Sequence, residues 1–334
     1  RSILAGLVAL GSVIGATLVA AVAAPALPVQ AAGTTSAYVA MPTSQRLLDT
    51  RQATPVPAGG TISVAVTGAE PLPAPGTVTA VVLNLTVTPP SAPGFWTVWP
   101  HTSPRPEASN LNVDENQFLA GNVTPNLVTV PVGSDGVVDI YGSGGGNVIV
   151  DLLGYYTPAE SATSGRFEPL ATPTRVLDTR GVATFSAGET RAFTVPGAAG
   201  ASAVAVNLTS VTDVPGFWQV YANGSPAPAT SNLNSPAGFS AAIANQAIVT
   251  VDAAGAISIY SENGGDLLID LVGIYTGASA PSSTTGLFVP VTTPTRIVDT
   301  RIAGLNPLGG TTRPSIKSSF EVPVTSNPVI GRSD

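Results

Sequence analysis

Short runs of apolar and β-branched residues, separated by turns rich in Gly and Pro, make up most of this chain. Residues 78–88 and 148–156 are two such runs, and Pro93-Gly94 and Gly264-Gly265 are typical of the turns between them. Beyond the N-terminus no segment shows a convincing helical period. About eight such runs in each of two successive stretches predict an all-β fold of β-sandwich modules, jelly-roll-like in type.

One motif occurs three times. Arg46-Leu-Leu-Asp-Thr-Arg51 returns as Arg175-Val-Leu-Asp-Thr-Arg180 and as Arg296-Ile-Val-Asp-Thr-Arg301. The interval is roughly 120 to 130 residues, the size of one domain, so the chain is predicted to be an array of one module. The predicted boundaries are 38–158 for repeat 1, 167–276 for repeat 2 and 287–334 for a partial repeat 3.

The partial repeat 3 is too short to form a module. Its two predicted strands cannot bury a sandwich core. We therefore expect repeat 3 either to continue past Asp334, which is the simpler account, or to dock its motif on repeat 2.

The N-terminal segment differs in character from the rest. Residues 3–29 carry no charge, and the small residues around position 31 are typical of a signal-peptidase site. We predict a signal peptide over residues 1–31 and a secreted protein. The run is also long enough to cross a bilayer, so an uncleaved N-terminal anchor is the alternative.

Composition excludes several classes of function. Charged residues are 10% of the chain, the net charge is −7 and there is no cysteine. Surfaces that bind nucleic acid or anionic membranes need clustered Lys and Arg, so we expect neither partner, apart from the N-terminal segment in a membrane if it is uncleaved. His101 is the single histidine, and repeat 2 has Asn223 in its place. Histidine, thiol and His/Cys-zinc chemistry are therefore unsupported, and we expect no enzymatic activity.

Polar residues recur at matching positions inside apolar strands. Asp151, for example, lies within Val-Ile-Val-Asp-Leu-Leu, where a carboxylate needs a charged partner. The arginines of the motif are candidates, because a guanidinium group binds a carboxylate through two parallel hydrogen bonds. We predict a structural polar network in each repeat: Arg46, Asp49, Arg51, Asn84 and Asp151 in the first, and Arg175, Asp178, Arg180, Asn207 and Asp270 in the second.

The same carboxylates allow other interpretations. Asp and Asn oxygens suit Ca²⁺, so Asp49 and Asp151 could form a Ca²⁺ or sugar site, but no compact Asp-x-Asp-x-Asp-Gly loop is present. We therefore expect no cofactor and keep Ca²⁺ as the alternative. Asp49 and Asp151, or Asp178 and Asp270, could also form a glycosidase pair, although nearby arginines would keep them ionised.

Aromatic residues provide a candidate binding site. Trp96 and Trp99 of repeat 1 correspond to Trp218 and Tyr221 of repeat 2. Alternation along a strand places Trp96 on one face of the sheet and Trp99 on the other. We expect one aromatic per repeat in the core, and Trp99 and Tyr221 facing outward as ligand-binding candidates that could stack on a sugar or a neighbouring module. Isolated exposed aromatics are the alternative.

Three motifs together resemble a known repeat. The Arg-Leu-Leu-Asp-Thr-Arg opening, the middle Ser109-Asn-Leu-Asn112 and the closing Asp151-Leu-Leu-Gly-Tyr-Tyr156 resemble a repeat of secreted, cell-wall-associated actinobacterial proteins. The resemblance covers about 38–276 and the opening of a third copy. It implies a β-rich extracellular module, found in tandem or beside wall-degrading or protease domains, and it transfers no catalytic residue. Repeat 2 departs from the pattern at Ile274, where repeat 1 has Tyr155.

These observations favour a secreted, non-catalytic structural or adhesive protein at the bacterial surface. The expected partner is a cell-wall glycan or another surface protein. A carbohydrate-binding array is the first alternative. The second is an accessory region of a wall hydrolase or protease whose catalytic domain lies outside this chain.

Overall fold

The computed structural model describes residues 34–68, 70–119, 122–236, 242–291, 294, 296–322 and 324. The predicted signal peptide or anchor at 1–31 lies outside these residues. Within them, no helix is long and apolar enough to cross a membrane. Strands dominate the described chain, so the prediction of an all-β fold is confirmed.

Module 1 consists of the first eight strands and module 2 of the next nine. Those of module 1 are β1 Ser36–Asp49, β2 Gly60–Ala65, β3 Ala80–Pro90, β4 Gly94–Pro100, β5 Leu111–Val113, β6 Thr124–Pro131, β7 Val137–Gly142 and β8 Gly146–Pro158. Those of module 2 are β9 Phe167–Asp178, β10 Phe185–Ala187, β11 Thr190–Thr194, β12 Ala203–Val211, β13 Gly216–Ala222, β14 Leu233–Ser235, β15 Ile243–Thr250, β16 Ala256–Ser261 and β17 Asn263–Tyr275. Single 3₁₀ turns occur at Thr50–Gln52 and Ala303–Leu305.

Both modules are jelly rolls. In module 1 the sheets have the orders β1-β8-β3-β6 and β2-β7-β4-β5, with every pair antiparallel. Module 2 repeats this arrangement as β9-β17-β12-β15 and β11-β16-β13-β14, with β10 beside β9 on the same edge of β17. Eight strands divided in this way between two facing sheets give the jelly-roll sandwich that the strand pattern predicts.

A short helix, α1 at Glu115–Leu119, was missed by the sequence analysis. It is too short to show a helical period. Its start is a capping box, because the Gln117 amide N–H donates to Asp114 Oδ1 at 2.8 Å and the Asp114 N–H donates to Gln117 Oε1 at 2.9 Å. The spacing Asp-x-x-Gln was the signal that could have identified it.

Each module buries its own apolar core between its two sheets. Trp96 lies in the core of module 1 and Trp218 in that of module 2. A third buried cluster lies between the modules and is formed by Tyr38, Tyr156 and Tyr275 with Ala80, Val82, Leu153, Ala203, Ala205 and Ile248. The two modules therefore share a buried interface in addition to their linker.

The start of repeat 3 lies against module 1. Phe288 and Ser36 exchange two backbone hydrogen bonds of 2.8 Å, and Arg296 Nη2 donates to the Glu107 carbonyl at 3.1 Å. In the described residues after 286 there is no strand, only this bridge and the 3₁₀ turn. The alternative that the third motif docks on repeat 2 is therefore wrong, since its arginine contacts repeat 1.

Candidate functional site

The repeated arginines and carboxylates meet on the first and last strands of each module. Arg46 lies opposite Asp151 in the β1–β8 pairing, and its Nε donates to Asp151 Oδ1 at 2.6 Å. Arg51 holds Asp49 through Nε at 2.9 Å and Nη2 at 2.6 Å, and Arg46 Nη1 reaches the same carboxylate at 3.3 Å. The result is a chain of two arginines and two carboxylates along one edge of the sheet.

Module 2 repeats this geometry. Arg175 Nε lies 2.8 Å from Asp270 Oδ1, and Arg180 Nη2 lies 2.6 Å from Asp178 Oδ2. In the third motif Arg301 binds Asp299 at 2.9 and 2.7 Å. The motif is therefore a local clamp in which the second arginine orders the carboxylate that precedes it by two residues.

Asn84 joins a different network from the predicted one. It lies opposite Asp151 in the strand pairing, but its Nδ2 donates to the Ser231 carbonyl of module 2 at 2.8 Å. Asn245 Nδ2 of module 2 in turn donates to Asn84 Oδ1 at 3.3 Å. Asn84 therefore binds across the interface between the modules. Its counterpart Asn207 reaches only Thr209 of its own strand, at 3.3 Å, within the described residues.

Burial and neighbouring charges shift the pKa values of the carboxyl groups in opposite directions. Burial raises the pKa of Asp151 from 3.8 to about 6, against the lowering effect of Arg46. The hydrogen bonds from Arg51 lower the pKa of Asp49. Those from Arg180 lower the pKa of the more exposed Asp178 to about 2.

A cleft between the two modules exposes this network to solvent. It has a volume of about 480 Å³. Module 1 contributes Arg46, Arg51, Thr86, Thr88, Asn122, Val123, Ile149 and Asp151, and module 2 contributes Pro215, Gly216, Phe217, Gln219, Ala229, Thr230, Ser231, Asn234, Ser235, Pro236 and Glu262. We call this the inter-module cleft. Asn122 Oδ1 is buried in its wall without a hydrogen-bond partner among the described residues.

The aromatic candidates lie elsewhere. Trp99 is only 5% exposed and its Nε1 donates to the Ser103 carbonyl at 3.0 Å, so the expectation that it faces solvent is wrong. Tyr221 is half-buried in a crevice beside Met41 of module 1. The partly exposed aromatic pairs are Phe95 with Tyr141, and Phe217 with Tyr260, at ring distances of 5.8 and 5.9 Å. Phe95-Trp96 and Phe217-Trp218 repeat in the sequence, and this repetition is the signal that could have identified the two pairs.

His101 forms a surface cluster with Asp139 and Ser63. Its Nδ1 lies 2.8 Å from Asp139 Oδ1, and the Ser63 hydroxyl donates to that same oxygen at 2.6 Å. Asp139 raises the pKa of the imidazole. A nucleophilic triad needs the histidine between the serine and the carboxylate, with one ring nitrogen facing each. Here the serine and the carboxylate both face Nδ1, so the histidine does not activate the serine.

Metal ligation finds little support. Across the described ranges no three His, Asp or Glu side chains converge in a way that could hold an ion. Asp49 and Asp151, considered as Ca²⁺ ligands, are instead paired with Arg51 and Arg46.

The chain was compared with known proteins. It matches no protein-family model and no curated protein. Among solved structures it is similar to a CBM22-1-CBM22-2 tandem domain of Paenibacillus barcinonensis Xyn10C, at 10% identity over 76% of this chain and 100% of that chain, with a TM-score of 0.19. It is also similar to the ANXUR1 extracellular domain of Arabidopsis thaliana, at 10% identity over 74% and 99% of the two chains, with a TM-score of 0.18.

A third similarity is to a protein in the structure of Sulfolobus Turreted Icosahedral Virus. The identity is 11% over 72% of this chain, the TM-score is 0.18, and the match spans 60% of the viral chain. At these TM-scores the similarities support no conclusion about the fold or the function of this chain.

Proposed function

We propose that this protein is a secreted, non-catalytic structural or adhesive protein of the bacterial cell surface. One observation carries the proposal: the polar side chains repeated in each module are bound to each other or to the next module. Arg46 holds Asp151, and Asn84 holds the Ser231 backbone of module 2. Groups held in this way fix strands and modules and are not free to act on a substrate.

The interface between the modules suits a rigid spacer. Tyr38, Tyr156 and Tyr275 are buried there. The linker is fixed as well, because the buried Arg166 donates to the carbonyls of Ala162, Pro281 and Thr285 at 2.9 to 3.1 Å. A shared core and a tied linker favour one relative orientation of two modules over independent motion.

The location rests on the sequence, through the predicted signal peptide and the three motifs. Its test is to produce the chain with residues 1–31 in an actinobacterial host and to fractionate the cells. We expect the protein in the medium or the cell-wall fraction, digestible by external protease in intact cells. Accumulation in the cytoplasm contradicts the proposal.

A carbohydrate-binding role is the second candidate, and the inter-module cleft favours it. Its walls carry amide, hydroxyl and guanidinium groups together with the Phe217 ring. Sugar recognition combines an apolar ring face with directional polar groups of this kind.

Retention of the chain from Gly33 to Asp334 on peptidoglycan and other insoluble glycans tests this role, with and without EDTA. The informative pair is Phe217→Ala and Phe95→Ala, because Phe95 is the equivalent ring in module 1 and lies outside the cleft. We expect retention to fall with Phe217→Ala and to persist with Phe95→Ala. Equal losses place the site outside the cleft, and no retention of the unaltered chain eliminates the glycan role while leaving the spacer proposal standing.

A further inference from the structure

Each repeat starts with an aromatic residue. Its backbone N–H donates to a carbonyl of another repeat, and that carbonyl belongs to the residue two positions before the first residue of the other repeat. The starting residues are Tyr38, Phe167 and Phe288, which occupy equivalent positions in repeats 1, 2 and 3. The bonds run from Tyr38 to the Gly165 carbonyl at 2.9 Å, from Phe167 to Gly286 at 2.8 Å and from Phe288 to Ser36 at 2.8 Å. They therefore connect repeat 1 to 2, 2 to 3 and 3 back to 1. A closed cycle of equivalent bonds is the property of a ring with threefold pseudosymmetry.

The first arginine of the motif also donates from one repeat to the next in this cyclic order. Arg46 Nη2 of module 1 donates to the Ala229 carbonyl of module 2 at 3.0 Å, and Arg296 Nη2 of repeat 3 donates to the Glu107 carbonyl of module 1 at 3.1 Å. Ala229 and Glu107 are equivalent, since each lies two residues before a Ser-Asn-Leu-Asn element. The same contact is thus made in the steps 1 to 2 and 3 to 1.

The aromatic contacts have the same order. Tyr38 of module 1 packs on Tyr275, which closes module 2, with ring centroids 4.6 Å apart. Phe288 of repeat 3 packs on Tyr156, which closes module 1, at 4.3 Å. Phe167 of module 2 contacts only Tyr275 of its own module among the described aromatics, at 5.2 Å. The step from 2 to 3 is the incomplete one.

Module 2 carries an exposed face at the position of that step. Leu170 is 38% exposed, whereas the equivalent Met41, which lies in a crevice beside Val220 and Tyr221 of module 2, is 6% exposed. The Asp270 side chain is 23% exposed and that of Asp151 is 2% exposed. Positions 168–175 of β9 are all exposed. The exposed residues of this face are equivalent to residues that module 1 places in its interface with module 2.

We propose that this face of module 2, formed by Leu170, Arg175, Asn207 and Asp270, binds a complete third module of the same repeat, opened by the 296–301 motif of the same chain. The three jelly rolls then form a closed ring around the pseudo-threefold axis. Placement in the same chain follows from Phe288 and Arg296, which already hold the start of repeat 3 in the ring. The third module supplies the carbonyl equivalent to Ala229 for Arg175 and the amide equivalent to Asn245 for Asn207.

A chimera provides the test independently of any ligand. In it, Thr300 is followed by residues 180–276, so that the third motif continues into a module of known sequence. The chain has no cysteine, so single cysteines report exposure through their reaction rate with a thiol reagent. Leu170→Cys is the reporter. Met41→Cys gives the rate of the covered equivalent, and Val182→Cys, 87% exposed and equivalent to the exposed Ala53, is the control.

We expect Leu170→Cys to react at least about tenfold more slowly in the chimera than in the present chain, approaching Met41→Cys, because docking leaves only rare openings. Val182→Cys keeps its rate. An unchanged rate for Leu170→Cys in a folded chimera overturns the proposal. Protection in the present chain that grows with protein concentration, together with a dimer in sedimentation, also overturns it by assigning the face to a second copy. If the chimera does not fold, joining Gly286 to residues 167–276 supplies a whole module for the same measurement.

Discussion

The phenol oxygens of Tyr156 and Tyr275 lie 2.9 Å apart in the interface between the two modules. Both side chains are buried, and burial raises the pKa of each above its usual value. The two hydroxyl groups therefore stay neutral and satisfy each other. Each tyrosine closes its module, so this bond joins equivalent ends of two jelly rolls.

Removing one of these hydroxyls should lower the free energy of unfolding by more than half of what removing both costs. Tyr156→Phe leaves the Tyr275 hydroxyl buried without its partner, and we expect a loss of about 1 to 3 kcal/mol in the free energy of unfolding. The double variant Tyr156→Phe/Tyr275→Phe should cost less than the sum of the two single variants. Urea unfolding followed by circular dichroism measures all three. Strictly additive costs would show that the hydroxyls do not depend on each other.

The two equivalent arginines differ in surroundings, and their replacement should differ in cost. Arg46→Ala leaves Asp151 without its charged partner in a buried site, and we expect a loss of about 3 kcal/mol or more. Arg175→Ala removes the same pairing from the exposed face of module 2 and should cost much less, because solvent screens that pair. Thermal or urea unfolding of both variants compares them. Equal losses would mean that docking of module 2 adds nothing to the Arg46–Asp151 pair.

Asp151 should give the protein a distinct pH dependence. Since burial raises its pKa from 3.8 to about 6, the folded state holds the proton more tightly than the unfolded state does. Its contribution to stability is present below about pH 4 and is lost as the pH rises through about 6. Relative to Asp151→Asn, the unaltered protein should therefore lose stability between pH 4 and 6, by at most about 3 kcal/mol.

The measurement is the unfolding free energy of both proteins at several pH values from 4 to 7. Asp49, Asp178 and Asp299, whose pKa values are lowered by their arginines, act with the opposite sign and lose their contribution as the pH falls below about 4. They are present in both proteins and cancel in the difference. A difference that favours the unaltered protein as the pH rises contradicts the assignment.

Gly165 should be irreplaceable for a reason beyond its backbone angle. Its φ is +80°, and a Cβ atom there would collide with the carbonyl oxygen of Tyr38. Gly181 has a similar φ of +71° but open space around it. We expect Gly181→Ala to cost about 1 to 2 kcal/mol through backbone strain alone. Gly165→Ala should cost clearly more, because it also forces the bond from Tyr38 to Gly165 to open. Comparable melting temperatures would show that the contact between the modules yields easily.

The strand content and the cores follow from local pattern. Period-two alternation and turn residues predict a jelly-roll-like sandwich, because one face of each strand must leave water. Trp96 and Trp218 reach the core by this rule. Pairing of Asp151 with Arg46 was predictable from repetition, since a carboxylate inside an apolar strand needs a charge of opposite sign.

The predictions from sequence were wrong where one face of a sheet contacts another part of the molecule. The alternation that buries Trp96 puts Trp99 on the opposite face, but a sequence cannot tell whether that face meets water or more protein. Here Ser103 in the following loop takes up the indole N–H, and Trp99 is buried. Asn84 was misplaced for a similar reason, because its partners Ser231 and Asn245 belong to module 2.

The repeated module, its strands and the arginine–carboxylate clamps can be predicted from the sequence alone, because they depend on residues close in the chain or on a period within it. That the starts of the three repeats are joined in a cyclic order is visible only in the folded chain. That order depends on a few contacts between residues more than a hundred positions apart, such as Phe288 with Ser36. A polar side chain looks the same in sequence whether its partner is its own strand or another module. Burial by a neighbour is what distinguishes Asp151 from Asp270.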